Sequence, residues 1–139
     1  MDYSIFGPVF ALVLLTFYVT PRVALARIKA AKEGRVNPLY YKANQGFEQP
    51  QEVAVLGRHY NNLLEMPILF YLWSIIVFVT GSTSDTMLVF GWVYVGIRFI
   101  HSYIHLGPNK IMSRIRAFAI SYLVLTIAWL YLGYSLYLA

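Results

Sequence analysis

Arg58, Asn62 and Glu65 recur at i, i+4 and i+7, and Arg98, His101 and His105 at i, i+3 and i+7. On an α-helix either spacing gathers three side chains on one narrow face. Both sets fall within apolar surroundings, where an ionisable side chain costs several kcal/mol and marks a functional site by default. Pairing between one Arg and Glu65 would explain two of the charges as glue between helices. It leaves a surplus, because Arg58 and Arg98 lie in helices, and Arg114 and Arg116 beside one, against the single intramembrane acid Glu65. Surplus guanidinium seeks an anion, and its planar fork fits carboxylates and phosphates. Glu65 could then receive an amine. The expected ligand carries carboxylates and an ammonium group, as a small peptide does.

A metal is the other chemistry that His101-x-x-x-His105 suggests, since that spacing puts two imidazoles on one helix face. The chain has three histidines and no cysteine. His59 is offset from Arg58 and is expected to turn away from the polar stripe, so no metal site is expected. The lack of cysteine also excludes disulfides.

The elements that must position these residues are four apolar runs. Hydrophobic residues make up 59% of the 139 residues and charged ones 12%, about half the charge of a soluble domain. Too few polar groups remain to cover a water-facing surface. Helices are expected at about 5–26, 53–80, 87–106 and 115–138, each long enough to cross a bilayer. Pro21 and Arg22 close the first apolar run, Gly81 to Asp85 form a short polar turn, and Gly107-Pro108-Asn109 stops the third helix. The expected architecture is a single-domain, all-α integral membrane four-helix bundle. The segment from Arg27 to Gln51 reads as a loop broken by Gly34, Pro38, Gly46 and Pro50.

Ala24-Leu25-Ala26 resembles a signal-peptide cleavage site, but the preceding end carries Asp2 and no basic residue, so the first run is expected to remain as an anchor. Arg22, Arg27, Lys29, Lys32, Arg35 and Lys42 fall between helices one and two, and Lys110, Arg114 and Arg116 between three and four. The positive-inside rule places both connections in the cytoplasm and both termini away from it. The net charge of +5 then reflects topology and membrane lipids. Nothing points to nucleic acid.

Arg58-x-x-x-Asn62-x-x-Glu65, followed by Pro67, resembles the helix-two signature of the membrane-associated proteins in eicosanoid and glutathione metabolism (MAPEG). Arg98-x-x-His101-x-x-x-His105, then Arg114 after a short loop, has the spacing of the prostaglandin E synthase branch. Position 105 is His where many members have Tyr. The resemblance covers nearly the whole chain and implies a homotrimer with glutathione bound between neighbouring subunits near the cytoplasmic face. By position, Arg58, Asn62 and Glu65 would hold the tripeptide, Arg98, His101 and His105 would support it, and Arg114 would be the catalytic residue facing the sulfur. Arg27 resembles a basic position that reaches the cofactor from a neighbouring subunit, but is expected here as a solvated loop charge.

A guanidinium beside a thiol favours the thiolate, the nucleophilic form. The resemblance therefore implies a glutathione-dependent transferase or peroxidase whose lipophilic substrate arrives through the bilayer. Two rivals remain. A non-catalytic member of the family would bind a lipid or a partner membrane protein. A small four-helix transporter would use Glu65 as a cation site, which the neighbouring Arg58 disfavours.

Overall fold

A computed structural model describes residues 2–43, 45 and 48–138. Gly46, an expected loop breaker, lies outside the described residues.

Asp2 opens the fold by accepting the Ser4 N–H (2.9 Å) ahead of a short 3-10 turn, and α1 follows from Phe6 to Lys32. It runs past Pro21 and beyond the expected end near residue 26. Proline removes one donor but does not end a helix whose flanks favour it, and Val23 to Lys32 contains good helix formers. Gly34 ends the overhang by taking the left-handed conformation (φ 67°), and the N–H groups of Gly34 and Arg35 close on the Ala31 and Ala30 carbonyls. The expected loop is therefore partly helical and partly packed. Ala30, Val36 and Val53 form a small cluster, Tyr40–Ala43 makes a short helix, α2, and Arg35 binds both Glu33 and Glu52.

The second apolar run is two helices, α3 (Gln51–Glu65) and α4 (Pro67–Val79). Pro67 has no N–H to return to the Leu63 carbonyl, so the helical ladder breaks at Met66, directly after Glu65. A turn at Gly81 (φ 69°) leads to α5 (Asp85–Leu106), which Ser84 caps by accepting the Met87 N–H. The last helix, α6 (Ile111–Tyr137), starts before the apolar pattern does. Arg114 and Arg116 interrupt the hydropathy, yet nothing after Pro108 and Asn109 interrupts the backbone.

The core lies where α1, α4, α5 and α6 meet. Phe70 stacks on Tyr94 at 4.7 Å, and the buried Trp73 donates its indole N–H to the Ala128 carbonyl (3.1 Å), tying α4 to α6. Gly91 lets α1 approach α5, since a Cβ there would come within 3.1 Å of Pro8 Cγ. Large apolar side chains cover the outside, among them Phe10, Leu14, Phe17, Ile68, Ile75 and Leu130. Water would not tolerate that surface, whereas lipid does. Four segments, Tyr3–Lys32, Gln51–Val79, Asp85–Leu106 and Ile111–Tyr137, are long and apolar enough to cross a membrane.

Candidate functional site

The contact of α3 with α5 builds the site. Arg98 is fully buried, and its Nη2 donates to both the backbone carbonyl (3.0 Å) and the side-chain Oδ1 (2.5 Å) of Asn62. One asparagine thus holds the guanidinium with its backbone and its side chain. Arg98 Nε and Nη1 have no partner among the described residues. His101 and His105, one and two turns further along α5, are also buried, and each leaves its Nδ1 unpartnered.

A cavity of about 250 Å³ opens beside this contact, lined by Arg58 and Asn62 from α3, His101 and His105 from α5, and Arg114, Ile115 and Phe118 from α6. Arg114 sits in the first turn of α6, whose N-terminal N–H groups have no side-chain cap. Helix end and guanidinium therefore both favour an anion there. Arg114 Nη1 donates to Asn109 Oδ1 (3.0 Å), and Asn109 takes a left-handed conformation (φ 46°) that asparagine tolerates better than most residues. Arg116 is exposed and lies outside the cavity lining. Among the described residues no carboxylate lines this cavity, and no ion pair reaches Arg58, Arg98 or Arg114.

Five of the seven singled-out residues, Arg58, Asn62, His101, His105 and Arg114, share one cavity, and Arg98 is tied to it through Asn62. Glu65 is not among them. It is exposed on the outside of the bundle and makes no side-chain hydrogen bond or ion pair among the described residues. The α3 stripe runs along the rim, with Arg58 and Glu65 exposed and Asn62 half-buried between them.

His59 corrects the sequence reading. It does point away from Arg58, but that direction leads into the bundle: His59 is fully buried, 5.8 Å from the His101 ring and 4.8 Å from that of His105. On this side of α3 the α5 helix packs one step round from the polar stripe, against His59. Even so, among the described residues no three side chains are arranged to hold a metal ion. Arg27 is also not a solvated loop charge. It belongs to α1, is half-buried over the Tyr41 ring at 5.5 Å, and lines a cavity of about 270 Å³ with Gly57, Arg58 and Asn61. The sequence carried no signal for Asn109 beyond its place in a turn.

Four membrane-capable helices around a buried basic site define a multi-pass integral membrane protein. The chain belongs to the MAPEG family, whose model matches residues 5–134. No curated protein and no solved structure matches it.

Proposed function

We propose that the protein is a membrane-bound glutathione-dependent transferase or peroxidase acting on lipophilic electrophiles, nearest in motif spacing to the prostaglandin E synthase branch of the family. The observation that carries this is the uncompensated cavity: Arg58 and Arg114 face it without a carboxylate, over a buried Arg98 with two unpartnered nitrogens. Such donors fit the carboxylates of the tripeptide. Asn62 both orients Arg98 and lines the cavity, and the His101 and His105 nitrogens offer further hydrogen bonds. When bound, glutathione supplies the thiol nucleophile that a chain without cysteine lacks. Arg114, oriented by Asn109, favours the thiolate by its charge.

Glu65 fits the tripeptide amine only if the site continues across a subunit boundary. A carboxylate facing hydrocarbon is costly, and a neighbouring subunit would cover it, which supports a homotrimer with shared sites. Both termini would face away from the cytoplasm.

Isothermal titration of glutathione into the detergent-purified protein tests the proposal. Saturable binding at one site per subunit, weakened by Arg58→Ala and unaffected by Arg116→Ala, is the expected result. No heat of binding, with the protein folded, would refute it.

A further inference from the structure

A groove of about 660 Å³ runs between α1 and α5 on the outside of the subunit. Its walls are largely apolar, with Ala11, Leu14 and Leu15 on one side and Phe99 and Leu106 on the other; Tyr18, Ser102 and Tyr103 add hydroxyl groups, and its single charged residue is Arg22. From Ala11 to Arg22 the helix rises about 16 Å at about 1.5 Å per residue. That is half the hydrocarbon thickness of a bilayer, about 30 Å. The groove is thus one leaflet deep, apolar at its inner end and cationic at its outer end.

Arg22 is held in place without being neutralised. Its guanidinium lies over the Tyr18 ring at 4.6 Å and donates to the Tyr18 hydroxyl. No carboxylate pairs with it among the described residues, and Glu52, which lines the adjoining cavity with Arg22, is engaged by Arg35. A hydrated anion would leave the apolar walls uncovered, and a neutral lipid would leave the cation uncompensated. The matching shape is a lipid that is negative at one end and one leaflet long.

We infer that the α1/α5 groove binds one anionic phospholipid of the surrounding leaflet. Its phosphate rests on Arg22 and one acyl chain follows α1 inward as far as Ala11. Tyr18 serves as the platform that keeps the guanidinium at the groove mouth.

The test uses the full-length protein, without glutathione, exchanged into detergent containing equal phosphatidylglycerol and phosphatidylcholine, each supplied as the same mixture of a shorter-chain and a longer-chain species, then read by native mass spectrometry. Wild type retains phosphatidylglycerol in preference. Arg22→Gln lowers that preference about fivefold, the effect of one basic side chain at an anionic surface, while Arg116→Gln leaves it unchanged. Ala11→Phe fills the inner end and shifts the retained lipid toward shorter chains with the headgroup preference intact. Arg22 is exposed, so its substitution leaves the fold in place, which gel filtration checks. Three results would each overturn the inference: no lipid retained by wild type, an unchanged headgroup preference in Arg22→Gln, or an unchanged chain-length preference in Ala11→Phe. Because no glutathione is present, such a failure leaves the transferase proposal standing.

Discussion

The two ends of the bundle treat their polar atoms in opposite ways. Around Trp73 they are satisfied: the indole N–H reaches the Ala128 carbonyl, and the Ser74 and Thr80 hydroxyls bond back to the Phe70 and Ile76 carbonyls of their own helix. Around Arg98 they are not. Both ring nitrogens of His59, the Tyr94 hydroxyl, two guanidinium nitrogens of Arg98, the Ser102 hydroxyl and one nitrogen each of His101 and His105 are buried without partners. Trp129 Nε1 is the exception on the other side. Each unmet buried group costs roughly 1–3 kcal/mol, so a structure that leaves so many together has a region built for a ligand or a neighbour and another built for stability.

Breaking the satisfied end should cost the most in stability and nothing in binding. Trp73→Ala removes a fully buried ring and its interhelical hydrogen bond, and should lower stability by about 3–5 kcal/mol. Thermal unfolding in detergent measures the loss, while glutathione affinity of the folded fraction stays at the wild-type value. The polar end should show the reverse. Arg98→Met exchanges an uncompensated buried cation for an apolar side chain of similar length, and should leave stability unchanged or raise it by about 1–3 kcal/mol. The same variant should bind glutathione more weakly. A large fall in melting temperature would mean that Arg98 is structural.

Smaller effects sharpen the boundary of the site. Glu65→Gln should weaken glutathione by about tenfold, the scale of one charge-assisted hydrogen bond, and should leave an analogue without the amine almost unaffected. Equal weakening of both would mean that Glu65 serves subunit assembly alone. Asn109→Ala should leave glutathione affinity close to wild type and lower turnover several-fold, because it frees Arg114 without removing a charge. An unchanged rate would show that Arg114 needs no anchor.

The four membrane segments were legible because length and apolarity together define a span, and neither depends on tertiary contacts. Helix ends were less so. The extension of α1 to Lys32 and the early start of α6 at Ile111 lie where polar side chains end the hydropathy signal without ending the backbone. The spacing of Arg98, His101 and His105 told their shared face, and that face is buried. Which face of α3 turns inward was not available from α3 alone. The angle between Arg58 and His59 follows from helical geometry, but the side that counts as interior is set by where α5 packs, some forty residues away in the chain. Asn109 was hidden for a similar reason, since a turn residue becomes a positioning residue only when the next helix brings Arg114 back to it.

On the proposed function, the unsatisfied end holds glutathione with its sulfur beside Arg114. Ultraviolet difference absorbance of the bound thiolate at neutral pH tests it most directly, with wild type, Arg114→Ala and Arg116→Ala compared at saturating glutathione. A thiolate band is expected in wild type and Arg116→Ala, and its loss in Arg114→Ala with binding retained. A normal thiolate band in Arg114→Ala, or no band in wild type at any glutathione concentration, would contradict it.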